Sequence, residues 1–337
     1  MYMPREAEIT YREAVREAMV GSMRENEEVF LMGEDVGVYG GAFGVSRGMV
    51  EEFGEERVVD TPISEAGYVG LCTGAALMGM RPIAELQFSD FITHCMDQLV
   101  NQAAKIRYMF GGEGRVPMVV RTPGGAGTGA AAQHSQSLEA WFVHVPGLKV
   151  VMPSTPYDAK GMLLSAIDDD NTVLFYEHKL LYNKKGEVPE EPYRVPLGEA
   201  NVSREGEDVT IATAGLMHHY VLEAAEALSD TGVEVEVIDL RTLSPMDDGA
   251  IQRSVEKTGK LVVVEEDVKT AGWGAEVVSR VVEGPSFYAL DRAPARVAGA
   301  DVPIPYNRAL EAHVRPTPEK VVEAVHSLLD ARAGVYA

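Results

Sequence analysis

The chain has 337 residues, 46% of them hydrophobic, which is enough apolar material for one large core or two medium ones. Its 52 Asp and Glu against 30 Lys and Arg leave a formal charge of -22, a field that repels phosphate backbones and anionic membranes and argues against nucleic acid as a partner. No stretch reaches the roughly 18 uninterrupted apolar residues of a membrane span, and MYMPREAEITYREAV lacks the charged-then-apolar pattern of a signal peptide, so a cytoplasmic protein is expected.

Thr10, followed three residues later by Glu13, predicts a capped helix over 10–27. Short β-branched runs at 29–35, 81–86, 116–123, 148–154 and 172–177 read as strands, and helical patterns fall at 65–79, 89–110 and 156–168. This alternation predicts an α/β fold with a largely parallel sheet covered by helices. Residues 186–200 carry three prolines and little apolar periodicity, so they read as a linker between a first domain at 1–185 and a second at 201–337. The second repeats the rhythm, with strands at 208–215, 233–240 and 260–267 and helices at 217–229, 247–257, 274–283 and after Pro318. Cys72 and Cys95 fall in helical segments with no second Cys or His at metal-ligand spacing, and read as reduced packing thiols.

Three segments carry candidate chemistry. In DTPISEAGYVGLCTGAALMG (60–79) a strand end and a proline turn precede Ser64 and Glu65 at a helix start. The plain reading is a cap by Ser64 and a favourable charge at Glu65. Against it, the helix is almost free of charge, and Gly67, Gly70 and Gly74 bare a strip of backbone for a close neighbour, which would put Glu65 at the mouth of a buried contact. In RTPGGAGTGAAAQHSQS (121–137) a strand runs into a glycine loop with neither P-loop nor dinucleotide spacing, ending on His134, which is either structural or placed for proton transfer. The third, LVVVEEDVKTAGWGAEVV (261–278), resembles a dinucleotide turn weakly, with Val277 where the third glycine belongs and acids where a pyrophosphate would lie. His218 and His219 are assigned to structure or a domain contact.

Taken in order, GEDVG (33–37), DTPISEAG (60–67), AELQFSDF (84–91), QAAKIRY (102–108), AAQHSQS (131–137), PGLKVVMPSTPYDAKG (146–161) and IDLRTLSP (238–245) resemble the beta subunits of thiamine-diphosphate-dependent 2-oxo acid dehydrogenases across nearly the whole chain. The pyruvate and acetoin types look nearest, with KIRYMFGG (105–112) and YEHKLLY (176–182) leaning to acetoin. The resemblance implies a pyrimidine-binding domain followed by a transketolase C-terminal domain. The GDG and Asn-Asn pair that grips diphosphate and Mg²⁺ is absent from this sequence, so that half of the site is expected from an alpha subunit in an α₂β₂ heterotetramer. On the same resemblance, Glu65 would hydrogen-bond the aminopyrimidine so that the cofactor activates itself, a role that calls for a raised carboxyl pKa. Ile63, Gln87 and Phe91 would line the pyrimidine, and His134 would orient the intermediate and assist acyl transfer to a lipoyl group of the acyltransferase core. A K⁺ site is implied at Met118, Ala166, Ile167, Asp169 and Asn171, beside the plainer reading of a helix end running into an acidic turn. The expected substrate is pyruvate or acetoin; a branched-chain 2-oxo acid enzyme, a self-sufficient transketolase-like enzyme and a non-catalytic scaffold are the alternatives.

Overall fold

The computed structural model describes residues 8–330, so the outer ends of the two expected domains, 1–7 and 331–337, lie outside the described residues. The first helix begins where its sequence directs. The Thr10 hydroxyl accepts the Glu13 N–H, and the Glu13 carboxylate returns the bond to the Thr10 N–H at 2.8 Å, starting the Tyr11–Glu25 helix. Its inner face, Tyr11, Val15, Ala18, Met19 and Met23, is buried against the first sheet's core.

That sheet orders its strands Thr242–Ser244, Lys149–Val151, Val173–His178, Val119–Gly124, Arg81–Glu85, Val29–Gly33 and Val58–Asp60, all parallel except the first. The second sheet runs Ala295–Gly299, Leu261–Val268, Val209–Thr213, Val235–Asp239 and Asn201–Arg204, with the last antiparallel. The central strands are buried on both faces and are rich in Val, Ile and Leu, with Arg121, Glu177, Glu236 and Asp239 as buried charged exceptions. Two short strands, Ile9–Thr10 and Lys185–Gly186, pair beside the first sheet.

One expectation needs correction. Residues 89–110 are not one α-helix: a 3₁₀ stretch Ser89–Cys95 and a π stretch Asp97–Ala103 precede the α-helical Ala104–Met109. The winding changes because side chains here bond a distant segment: Ser89 Oγ donates to the Gln136 carbonyl and Asp90 accepts from Gln136 Nε2 at 2.8 Å, fastening this turn to the glycine loop. The chain after residue 200 has its own five-stranded sheet and also packs closely on the first domain. Thr242–Ser244 leaves its neighbours to close the edge of the first sheet, and one apolar cluster holds Val151, Met162 and Phe175 together with Ile211, Met217 and Val237. Among the described residues no helix is long and apolar enough to cross a membrane.

The seam between the sheets holds the paired histidines. His219 Nε2 lies 2.7 Å from the Ser154 carbonyl, and His218 Nε2 lies 2.8 Å from Ser203 Oγ. Burial, aided by His219 and Lys184, drives His218 down to about 3, so it is neutral. Burial and then Asp158 push the neighbouring Asp239 up to about 8, although Ser154 Oγ donates to it. The folded chain therefore retains a proton at Asp239 that the unfolded chain releases near pH 4, and this carboxyl's contribution to stability falls as pH rises from about 4 to about 8. Asp239→Asn keeps the acceptor and removes the titration. In urea unfolding, the variant gains on the parent between pH 5 and pH 8; an offset that stays constant across that range would refute the assignment.

Candidate active site

In a parallel sheet every strand delivers its carboxyl end to the same side, and the crevice there is where ligands bind. Here that side receives Glu34 and Asp35 after Val29–Gly33, the Thr61–Glu65 turn after Val58–Asp60, Gln87 to His94 after Arg81–Glu85, the glycine loop after Val119–Gly124, and Lys179 after Val173–His178. Topology alone thus gathers Glu65, Gln87, Phe91 and His134, which lie far apart in the chain.

Glu65 is 5% exposed at the first turn of the Glu65–Leu77 helix. Ser64 is the N-cap, but its side chain makes no capping hydrogen bond, so the plain capping reading fails for Ser64. The Glu65 carboxylate lies 3.1 Å from His94 Nδ1. The His94 ring stacks on Phe91 with centroids 5.7 Å apart and planes 11° from parallel. His134 meets Phe91 edge-on at 5.3 Å and Phe88 at 4.7 Å. An unbroken wall of rings therefore joins the buried carboxylate to the loop histidine. Gln87 Nε2 donates to Asp35 at 3.1 Å, and Ile63 projects with 82% exposure from the turn before Glu65.

Beside Glu65 lies a carboxyl with a raised pKa that the sequence did not single out, Glu34. Burial, then Glu65 and Asp35, push Glu34 up to about 7, and its Oε1 is buried with no partner. Glu34 and Asp35 stand in GEDVG at a strand end, which was the available signal. His94 had none beyond its place in a helical pattern.

The glycine loop is held from outside its own domain. Gly127 N–H donates to Glu311 at 2.7 Å, Gly129 N–H to Glu311 at 3.1 Å, and Ala126 N–H to Glu266 at 3.2 Å. Lys179 Nζ donates to the His134 carbonyl.

The remaining candidates lie elsewhere. The helix Trp273–Glu283 does present an N-terminus, but Gly274 N–H already donates to Glu265 at 2.6 Å, and Glu265 is paired with Arg296 at 2.6 Å. A carboxylate of the chain itself sits where a pyrophosphate would have to, which removes the nucleotide reading. Met118 precedes Val119–Gly124 and Asn171 precedes Val173–His178, so these two residues, with Ala166, Ile167 and Asp169, lie at the opposite end of the sheet from Glu65. There Arg81 donates to the Ile167 carbonyl at 2.8 Å and the Asp169 carbonyl at 3.2 Å, while Lys149 pairs with the Asp169 carboxylate.

Residues 7–185 match the family described as "Transketolase, pyrimidine binding domain", and residues 198–321 the one described as "Transketolase, C-terminal domain". The chain is 48% identical to the acetoin:2,6-dichlorophenolindophenol oxidoreductase subunit beta of Bacillus subtilis, over 95% of this chain and 97% of that one. It is 46% identical to the 2-oxoisovalerate dehydrogenase subunit beta of the same organism, covering 96% and 99%. With the pyruvate dehydrogenase E1 component subunit beta of Rhizobium meliloti it shares 46% identity, over 96% of this chain and 70% of that one. Among solved structures, a split-gene transketolase described as an inactive beta4 tetramer superposes with a TM-score of 0.79 over 96% of this chain and 99% of that one; at 23% identity this likeness concerns the fold.

Proposed function

Because the chain belongs to the transketolase-like family of 2-oxo acid and acetoin dehydrogenase beta subunits, we propose that it supplies the pyrimidine half of a thiamine-diphosphate site shared with an alpha-type partner. The observation that carries this reading is Glu65: a buried carboxylate, joined through His94 to an aromatic wall that ends at His134, opening where the chain leaves Ile63 uncovered. Such a setting fits an aminopyrimidine, which needs a carboxyl partner for its ring nitrogen and a flat apolar face. When bound, the cofactor supplies the carbanion chemistry that cleaves the bond next to a carbonyl.

The chain's own residues then have definite tasks. Glu65 holds a proton at the pyrimidine nitrogen, with Glu34 behind it as a group that is half-protonated near neutral pH. Phe91, Gln87 and Ile63 fix the ring, and the Phe88 and Phe91 walls keep water from it. His134 orients the substrate's polar atoms and moves a proton as the acyl group passes to a lipoyl arm of the acyltransferase core. Mg²⁺ is assigned with the diphosphate to the alpha-type chain; among the described residues no three His, Cys, Asp or Glu side chains stand together as a metal site.

Support for an α₂β₂ assembly comes from the helix behind Glu65. At Gly74 a Cβ would meet nothing within 4 Å, and Leu71 and Met78 are exposed beside it, an apolar face suited to a subunit contact. A cytoplasmic location is part of the same reading.

Identities of 48% and 46% do not separate acetoin, pyruvate and branched-chain 2-oxo acids. Co-expression with the alpha-type subunit of the same source, then assay of all three with thiamine diphosphate and an artificial electron acceptor, tests the proposal. Turnover is expected from the mixture and from neither chain alone; pyruvate or acetoin is the expected substrate. Activity of this chain alone, or none despite a stable complex, would overturn it.

The reading extends to K⁺ at the 166–171 turn. The Ile167 and Asp169 carbonyls each use one lone pair toward Arg81, and the second lone pair is what an ion would take. A bound ion stabilises the folded chain by mass action, so the melting temperature should be several degrees higher in KCl than in choline chloride of equal ionic strength. Equal melting temperatures would leave the acidic turn to Arg81 and Lys149.

A further inference from the structure

The loop that carries His134 is poor in means of holding itself. Gly124, Gly125, Gly127 and Gly129 offer no side chains, and glycine loses the most backbone freedom on ordering. Ser89, Asp90 and Lys179 hold its far end from the first domain, and the glycine stretch itself is held by groups that arrive from the second domain. Glu311, buried in the Arg308–Val314 helix, receives the N–H groups of Gly127 and Gly129 on its two oxygens at 2.7 and 3.1 Å. Glu266, buried at the end of the Leu261–Val268 strand, receives Ala126 N–H at 3.2 Å on one oxygen and faces His178 Nε2 at 2.7 Å on the other.

The second contact has a defined protonation pattern. Leu180 N–H donates to His178 Nδ1 at 3.1 Å, so the ring proton sits on Nε2 and points at Glu266. Burial would raise the Glu266 carboxyl, but His178 and Arg315 hold it below its ordinary value, and it remains an anion. The next residue, Lys179, donates to the His134 carbonyl. The loop also lies flush against this pair: with φ of +81° at Gly125, a Cβ there would fall 2.0 Å from His178 Nε2 and 2.8 Å from Glu266. At Gly127, φ is +103° and a Cβ would fall 2.1 Å from Arg315 Nη1.

We propose that Glu311 and Glu266 are positioning residues, through which the second domain sets the glycine loop and hence the place of His134 against the Phe88 and Phe91 wall. Backbone donors bound to a carboxylate make bonds roughly twice as strong as neutral ones, which suits a glycine stretch that offers only backbone groups to hold. Glu311 is the cleaner of the two to test, because Glu266 also supports His178. The proposal rests on the reading above that His134 acts in the reaction.

The experiment uses Glu311→Ala and Glu311→Gln in the full chain. Hydrogen exchange is followed over residues 124–135, in the chain alone and in its complex with the alpha-type subunit, and turnover is measured on the complex. Glu311→Ala is expected to speed exchange of the loop amides roughly tenfold or more while the first-domain strands keep their protection. In the complex kcat should fall about tenfold or more with the KM for thiamine diphosphate little changed, the mark of lost positioning and not of lost binding. Glu311→Gln, which retains one carbonyl acceptor, should recover part of both effects, and it decides alone if the alanine variant does not fold. Unchanged loop exchange overturns the clamp, and faster exchange with unchanged kcat overturns the positioning role. An inactive parent complex would defeat the functional reading and its positioning consequence, while loop exchange still reports whether Glu311 holds the loop.

Discussion

Glu65→Gln, assembled with the alpha-type subunit, is expected to lose turnover by about 10²- to 10⁴-fold, the range a positioned acid–base group contributes, while the complex forms as before. The replacement matches the parent in shape, and its amide oxygen can still accept from His94 Nδ1, now at 3.1 Å from the carboxylate. What it cannot do is exchange a proton with a ring nitrogen. The same change removes a negative charge that helps to raise Glu34, so the Glu34 carboxyl should titrate below its present value of about 7. Size-exclusion chromatography, steady-state turnover and carbon-detected titration of the glutamates read the three consequences separately. A complex that forms, binds cofactor and keeps full activity would move the chain from enzyme subunit to scaffold.

Much of the architecture was readable in the sequence because its signals are local. The Thr10 and Glu13 spacing marked the first helix, and β-branched runs marked the buried parallel strands, whose two covered faces favour apolar side chains. The edges were not readable. Thr242–Ser244 pairs across to the first sheet, a choice made by tertiary partners and invisible in a three-residue run. The 89–110 segment has helical periodicity, yet Ser89, Asp90 and Gln136 rewind its first turns, because bonds between distant polar groups outweigh a weak local preference.

The site divides in the same way. Glu65 and His134 stood in segments whose composition was odd enough to notice. His94 and Glu311 did not, since each gains its place only through the tertiary fold. Glu266 stands in the acidic run that opposes a nucleotide, and its further contact, a loop amide from the other domain, becomes visible only in the structure.

The largest stability effect should come from Arg121, 1% exposed in the middle of the first sheet. Its Nη1 donates to Glu85 at 2.5 Å on the neighbouring strand, and Nε and Nη2 hold Glu177 at 2.7 and 2.9 Å on the other side. Burial raises the Glu85 carboxyl, and Arg121 is the group that counters this. Arg121→Met fills similar space but strands two buried carboxylates, and should cost about 3–5 kcal/mol at neutral pH. With the guanidinium gone, the Glu85 carboxyl, already raised by burial, rises further. The variant's deficit is then smallest in acid, where that carboxyl is protonated, and grows as pH rises. Urea unfolding at pH 5 and pH 8 should show the gap widen. Adding Glu85→Gln and Glu177→Gln to Arg121→Met should restore a large part of the loss, because the cost lies in the unpaired charges and not in the missing contact. A deficit that stays constant with pH and is not relieved by the two glutamines would mean that Arg121 acts by packing, as against Met19, whose Sδ lies 3.6 Å from its Nη1. The strands it ties together end at the glycine loop and at His178, so the same variant should also loosen the loop that carries His134.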